Sequence, residues 1–211
     1  MFNLPLNIDL ENDVFAVDKP IGMTSFDVVR KLKKILNVKK IGHGGTLDPL
    51  ATGILVIGVG KGTKRLQQCI DGDKEYIAEI KFGEKSATFD REGPISKANE
   101  EKLKIVDEKI LDVFRGEILQ TPPIYSAKKI KGVRASDRVR SGQEVKLEPQ
   151  KVKIYELEVL NFDQENQILK IRVVCSKGTY IRSLANDIGE ELGVGGYLWD
   201  LRRVRVGEFK L

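Results

Sequence analysis

The 211-residue chain has few of the residues that hold metals or form disulfides. It contains two cysteines, Cys69 and Cys175, and one histidine, His43. The cysteines lie far apart in the sequence, without the paired spacing of a zinc site, and a single histidine cannot complete a ligand cluster. The sequence therefore predicts no metal and no cofactor, and two free cysteines suit a reducing, cytoplasmic compartment.

Long apolar runs are also missing. None approaches the roughly 20 residues of a membrane-spanning helix, and the N-terminal residues carry acids where a signal peptide carries basic residues. Neither export nor insertion into a membrane is expected. With 41% apolar residues the chain can bury a core without disulfides, which predicts one full domain or at most two small ones.

Positive charge is only in slight excess, at a formal net charge of +5, but it is concentrated in runs. Residues 28–40 hold six Lys or Arg and no acid, residues 127–140 hold six and one acid, and a shorter basic run, LRRVR, lies at 201–205. Most such runs only form a solvated face. Three of them in one small chain favour RNA or DNA as a partner.

The hydrophobic pattern predicts an α+β fold, because helices alternate with hairpin-like strand pairs. A helix capped by Thr24 or Ser25 would bury Val28, Val29, Leu32, Ile35 and Leu36 and end at Asn37. Further helices are predicted from Asn99 to Gly116 and from Ile181 to Gly193, and strands at 14–17, 54–60, 75–83, 152–159 and 168–175.

Asp48 is the first candidate for chemistry. It lies in IGHGGTLDPLATG (41–53), a segment with no apolar period that predicts an ordered loop. Its glycines permit an unusual backbone path that can present a carboxylate to a cavity. An Asp followed by Pro is also typical of a helix N-cap with proline at the first helical position. The residues by themselves leave both interpretations open.

A second group of candidates is aromatic and cationic. Arg182 lies in SKGTYIRS (176–183), where a strand gives way to a helix. An arginine close to an aspartate lowers the carboxyl pKa and keeps it ionised, as a nucleophile or base requires, but an exposed arginine at a helix start is also common. Tyr76 is either a half-buried strand residue or an aromatic face for an extruded base. His43 is either a hydrogen-bonded loop residue or an RNA contact.

Six motifs occur in an order and spacing that resemble the TruB family of tRNA pseudouridine synthases over nearly the whole chain. They are DKPIGMTS (18–25), GHGGTLDPLATGIL (42–55), KEYIAEIKFG (74–83), PPIYSAKKIKG (122–132), CSKGTYIRSLANDIGEELG (175–193) and LRRVRVG (201–207). The resemblance implies the pseudouridine synthase fold, a mixed, mainly antiparallel sheet with flanking helices and a central RNA-binding cleft. It also implies an isomerase that flips out the T-loop uridine at tRNA position 55 and converts it to pseudouridine.

The resemblance also implies roles for single residues. Asp48 matches the catalytic aspartate, Tyr76 the aromatic residue that stacks on the target base, and Arg182 the ion-pair partner of the aspartate. Four further positions match residues that line or shape the same cleft: Tyr180, Lys19, His43 and Leu201.

The basic segment at about 123–150 matches the RNA-gripping insertion of the family and contains Lys128 and Lys129. We expect this segment to be poorly ordered without RNA and to close on it. The accessory C-terminal RNA-binding domain of many members is expected to be absent, which leaves one catalytic domain over residues 1–211. The expected partner is the T-arm stem-loop of tRNA, bound by a monomer. Two alternatives are a noncatalytic RNA-binding or tRNA-folding module on the same fold, and a guide-dependent subunit of a larger ribonucleoprotein.

Overall fold

The computed structural model describes residue 2 and residues 4–126, 128–130, 132–143 and 145–210, without the side chains of residues 129, 130, 134, 136 and 140. The chain divides into two compact units. The first comprises residues 1–77, 174–177 and 200–211, and the second comprises residues 78–173 and 178–199.

The elements follow one another along the chain as mixed strands and short helices. The strands are β1 Val14–Lys19, β2 Ile41–Gly44, β3 Thr52–Val59, β4 Lys74–Phe82, β5 Glu84–Ser86, β6 Ile95–Lys97, β7 Gly116–Gln120, β8 Lys129–Ile130, β9 Val133–Arg134, β10 Gln150–Asp163, β11 Ile168–Cys175, β12 Gly196–Val206 and β13 Phe209–Lys210. The α-helices are α1 Ser25–Ile35, α2 Leu66–Ile70, α3 Ala135–Arg140 and α4 Ile181–Glu191, and 3₁₀ helices cover Gly60–Lys64 and Glu108–Phe114.

In the first unit, β3 is the central strand. It pairs antiparallel with β1 and with β2, and parallel with β12, where Gly53 lies opposite Arg203. One face of β3 packs with α1 through Val28, Val29 and Leu32. The other face carries Ile54 and Val56, which pack with Leu66 of α2 and Val206 of β12. Burial on both faces explains why the strand is a continuous apolar run.

Helix α1 begins as its sequence predicts. Thr24 is the N-cap, its side chain accepts a hydrogen bond from the Asp27 amide, and the Asp27 side chain accepts from the Thr24 amide, a reciprocal capping box. Asn37, just after the helix, has φ +50°, the left-handed conformation that commonly ends helices. The six basic residues between 28 and 40 are all exposed.

In the second unit, strands β4, β11, β10 and β7 follow one another in that order across the sheet. β10 and β7 pair antiparallel, from Gln150 opposite Gln120 to Ile154 opposite Gly116. Helix α4 buries Leu184, Ala185 and Ile188. The predicted α+β class with a mainly antiparallel sheet is confirmed. None of the helices in the described part of the chain combines the length and apolar character that a transmembrane helix needs.

Three local predictions are wrong. No α-helix runs from Asn99 to Gly116, where only the 3₁₀ helix Glu108–Phe114 forms. The side chain of Gln167 bonds both the amide and the carbonyl of Leu103, which holds that residue outside any helix. Ile35 of α1 is 61% exposed instead of buried. The predicted loop 41–53 begins as strand β2, which its glycine-rich sequence did not indicate.

Candidate active site

Asp48 lies in a turn whose neighbours anchor it in the core. Leu47 and Leu50 are buried, while Asp48 itself is half-buried and reaches the surface. The Ala51 amide donates to the Asp48 carbonyl at 3.1 Å, which closes the turn, and strand β3 starts one residue later. Because no helix follows Pro49, the interpretation of Asp48 as a helix N-cap is wrong.

Two side chains fix the peptide groups on either side of Asp48. The buried Ser25 hydroxyl accepts from the Leu47 amide at 2.9 Å and donates to the Leu47 carbonyl at 3.0 Å. On the other side, the Pro49 carbonyl accepts from Lys19 Nζ at 3.3 Å and from the Gly22 amide at 2.9 Å. Ser25 and Lys19, which hold these two peptide groups, lie in the segment that leads from β1 into α1.

Lys19 is fully buried, and its ammonium group also donates to the carbonyls of Pro20 and Met23. A buried ammonium group is stable only when its donors find acceptors. The three carbonyls supply them, so Lys19 shapes the site by holding main chain together.

Tyr76 and His43 lie in the same unit as Asp48. Tyr76 is 6% exposed, and burial raises its pKa, while the positive charge of Arg203 opposes that shift and the negative charge of Asp48 adds to it. Its phenol therefore stays protonated at neutral pH. Burial, and then the charge of Arg203, lower the pKa of His43, so its imidazole is neutral at pH 7.

Leu201 also belongs to this unit and is 6% exposed, while its carbonyl accepts a hydrogen bond from the Thr52 hydroxyl. Two residues away lies Arg203, which sequence reasoning missed because it belongs to the basic run LRRVR. That run predicts a solvated face, yet Arg203 is 2% exposed. No basic-run pattern in the sequence separates it from the half-buried Arg202 and Arg205.

The second unit contains Arg182 as part of a buried ion pair. Arg182 Nη1 donates to Asp90 Oδ2 at 3.1 Å and to the Thr88 carbonyl at 3.2 Å, and Nη2 donates to the Tyr125 carbonyl at 2.9 Å. Asp90 in turn accepts from the Thr88 hydroxyl at 2.6 Å. Arg182 is thus held in one orientation, and the alternative of an exposed arginine at a helix start is wrong. Asp90 was missed, since nothing in its sequence context indicates the pairing.

Tyr180 precedes α4, and its amide donates to Gln120 Oε1 at 2.8 Å. Lys128 Nζ donates to Gln150 Oε1 at 2.8 Å, and Gln150 Nε2 donates to the Gly178 carbonyl at 2.9 Å. The side chain of Lys129 lies outside the described residues. Because Asp48 and Arg182 belong to different units, their predicted ion pair stays a prediction.

The described side chains include no group of three or more His, Cys, Asp or Glu placed to hold a metal ion. The candidate chemistry therefore consists of one carboxylate on a fixed turn with a protonated phenol and a neutral imidazole in the same unit, and a fixed guanidinium in the other unit.

Comparison with known proteins gives the same family from residue 33 to residue 211. Residues 33–181 match the N-terminal domain model of the TruB family of pseudouridylate synthases, and residues 182–211 match the tRNA pseudouridylate synthase B C-terminal domain. The chain is 49% identical to tRNA pseudouridine synthase B of Clostridium acetobutylicum, over 93% of this chain and 68% of that protein. It is 45% identical to tRNA pseudouridine synthase B of Parabacteroides distasonis, over 96% of this chain and 88% of that protein.

Solved structures are similar as well. The chain superposes on a protein of a Cbf5-Nop10-Gar1 complex with a TM-score of 0.70 and 36% identity, and on one of an archaeal box H/ACA sRNP Nop10-Cbf5 complex with a TM-score of 0.68 and 31% identity. These matches cover 93% and 99% of this chain but only 49% and 52% of the solved chains, so this chain spans about half their length. The predicted pseudouridine synthase fold is confirmed, and the chain belongs to the TruB family of pseudouridylate synthases.

Proposed function

We propose that the Asp48 carboxylate carries the reaction that membership of the TruB family assigns to this chain, the conversion of uridine to pseudouridine at position 55 of tRNA. The observation that carries the proposal is the clamping of Asp48 from both sides, by Ser25 on Leu47 and by Lys19 on Pro49. A reacting group held in place on a rigid support lowers the entropy cost of reaching the transition state.

The reaction is an isomerisation and needs no oxidant or reductant. The bond from uracil N1 to ribose C1′ breaks, the base turns, and a bond from C5 to C1′ forms. A proton leaves C5 and N1 gains one, so substrate and product have the same composition. An ionised carboxylate can serve by attack on the sugar, by attack on the ring or as a base, and the family resemblance leaves all three open.

The neighbouring groups suit the uncharged uracil ring of a bound uridine. Tyr76 keeps its proton at neutral pH because burial raises its pKa, so it offers a neutral aromatic face and a hydroxyl donor. In β4 it lies on the same buried face as Ala78 and Ile80. His43, whose pKa is lowered by burial, adds no positive charge at pH 7.

Arg182 is proposed as the ion-pair partner of Asp48. Its guanidinium is already oriented by Asp90, Thr88 and Tyr125, all in its own unit. A guanidinium beside the carboxylate would keep the pKa of Asp48 low and the group ionised. Tyr180, held through its amide by Gln120, would present its ring from the start of the same helix.

RNA binding has to offset the extrusion of the target uridine, which costs a few kcal/mol of unstacking. We propose that the exposed basic residues of the segment 28–40 and the basic segment 123–150, with Lys128 and Lys129, contact phosphates of the T-arm. The chain is proposed to act as a monomer in the cytoplasm, where tRNA is modified. Closure of the segment 123–150 on RNA stays part of this proposal.

The test is a T-arm stem-loop with tritium at C5 of the uridine at position 55. Formation of the new C5–C1′ bond releases the label into water, so we expect release with the purified chain alone. A stem-loop labelled at a different uridine is the control and should keep its tritium. Release only after a guide RNA or partner proteins are added would contradict the proposal and would support the guide-dependent alternative, while tight binding without release would support the noncatalytic one.

A further inference from the structure

Arg203 is a buried residue to which the proposed reaction assigns no role. Its side chain is 2% exposed, and a charged group taken out of water is stable only when its donors are matched. Nε donates to the Ile54 carbonyl at 2.8 Å, and Nη2 donates to the Gly45 carbonyl at 2.8 Å. The guanidinium therefore joins strand β3 to the turn at Gly45.

The turn at Gly45 is built against this guanidinium. Gly45 has φ +68°, and a Cβ added there would lie 3.4 Å from Arg203 Nη1. A residue with a side chain would be strained by this left-handed backbone, although its Cβ would only be in ordinary contact with the guanidinium. Glycine thus permits the backbone conformation that places its carbonyl on the guanidinium.

The other end of the same segment rests on the main chain of Arg203. Gly53 lies opposite Arg203 in the parallel pairing of β3 with β12 and has φ +99°. A Cβ on Gly53 would lie 2.1 Å from the Arg203 carbonyl oxygen. Both ends of residues 45–53 therefore close on one residue, and Asp48 lies between them.

The charge of Arg203 reaches the neighbours of Asp48 as well. It lowers the pKa of His43, after burial, and it opposes the effect of burial on the pKa of Tyr76. It also lowers the pKa of Lys74, again after burial. Arg203 is thus close enough to influence two of the residues that the family resemblance places at the site.

We propose that Arg203 is a positioning residue, which closes the segment 45–53 at its base and so holds the Asp48 carboxylate in the orientation that the isomerisation requires. The proposal rests on the proposed function of Asp48. Lysine cannot replace it, because one ammonium group lacks the planar fork that reaches Ile54 and Gly45 together.

The first experiment compares Arg203→Lys with the parent protein in the tritium-release assay under single-turnover conditions. We expect the single-turnover rate constant to fall about tenfold or more, because small displacements of a reacting group have large effects on rate. The dissociation constant for the stem-loop should change little. Arg115→Lys is the matched control, since Arg115 Nε and Nη2 also donate to one backbone carbonyl, that of Leu157. Its rate should equal the parent's.

The second experiment measures the titration of His43 in the free protein and does not depend on activity. The chain has one histidine, so a single imidazole signal in an NMR titration belongs to His43. Arg203→Met removes the charge that lowers its pKa, and the midpoint should rise towards the ordinary value, whereas Arg115→Met should leave it in place. If Arg203→Met does not fold, Arg203→Lys decides the question through its single-turnover rate constant.

The outcomes separate this proposal from the function of Asp48. A parent-like single-turnover rate constant in folded Arg203→Lys, or an unmoved His43 midpoint in folded Arg203→Met, would overturn the positioning role and leave the proposed function of Asp48 untouched. Unimpaired activity of Asp48→Asn would instead overturn the proposed function, whatever the behaviour of Arg203.

Discussion

Ser25→Ala should weaken both the fold and the reaction, although Ser25 is not expected to touch the substrate. The hydroxyl is 2% exposed and serves the Leu47 amide and the Leu47 carbonyl at once. Alanine leaves both backbone groups buried without these partners. The peptide before Asp48 then loses its tether, while the clamp of Lys19 on Pro49 remains.

The size of the effect follows from the two backbone groups left without the hydroxyl. A buried backbone group without a partner costs about 1–3 kcal/mol, so we expect the free energy of unfolding to fall by about 2–6 kcal/mol. For a chain of this length, that is roughly 4–24 °C in Tm. Urea unfolding gives the stability, and single-turnover tritium release gives the rate, which should fall about tenfold because the carboxylate is less well held.

The control is Thr24→Ala, one residue earlier. Thr24 caps α1 by accepting from the Asp27 amide at 3.0 Å, and its loss should cost about 1 kcal/mol without disturbing Leu47. We expect it to lower stability and leave the rate within about twofold of the parent's, as for mutations away from a site. If Ser25→Ala reacts as fast as Thr24→Ala when both are fully folded, the tether on Leu47 does not matter for catalysis.

Three further predictions concern the partner arginine, the histidine and the basic helix. Arg182→Lys keeps the charge but loses the fork that reaches Asp90 and the backbone carbonyls, so tritium release should slow while stem-loop affinity is retained; an unchanged rate would argue against Arg182. Because burial lowers the pKa of folded His43 from 6.5, the stability linked to this group is complete above pH 6.5 and is lost as the pH falls through the lower folded value. His43→Gln should remove that part of the pH dependence of stability in urea titrations. A pH profile identical to the parent's would contradict a lowered pKa of His43 in the folded protein. Replacing the exposed Lys33 and Lys34 with Ala should reduce the salt dependence of stem-loop binding by about 0.9 in log–log slope for each phosphate that these lysines neutralise in the parent complex. Filter binding over a range of salt measures it, and an unchanged slope would place the RNA elsewhere.

The sequence was sufficient to predict those elements in which the local pattern and the tertiary packing agree. The apolar alternation of β4 predicts that Tyr76, Ala78, Ile80 and Phe82 share a buried face, and all of them are buried. The start of α1 follows from the capping residues, and its end follows from Asn37 in the left-handed conformation. These features depend on a few adjacent residues.

Elements that depend on distant partners could not be predicted. β2 carries two glycines and no apolar period, and it forms because it pairs with β3 and because Gly44 admits Ile70, whose Cγ2 would lie 2.5 Å from an added Cβ. The predicted helix after Asn99 fails because Gln167, 64 residues away from Leu103, takes the backbone groups that a helix would use. Neither partner is recognisable from the local sequence.

In the candidate site, too, some residues could be predicted from the sequence and others could not. Asp48, Tyr76 and Arg182 were found because the motifs around them resemble a family, while composition and spacing by themselves left each with a second interpretation. Asp90 and Arg203 were not predicted from the sequence, because their roles depend on the groups that they contact in the folded chain. A buried arginine in a basic run looks the same in sequence as an exposed one, since only the fold decides which side chain is covered.

We propose that the negative charge of Asp48 is required for the isomerisation. The most direct measurement is tritium release from the T-arm stem-loop by Asp48→Asn, which removes the charge and keeps nearly the same shape, together with the dissociation constant of the same variant. We predict no release above the background without enzyme and an affinity close to that of the parent protein. Release at the parent rate would show that the reaction does not need the charge of Asp48.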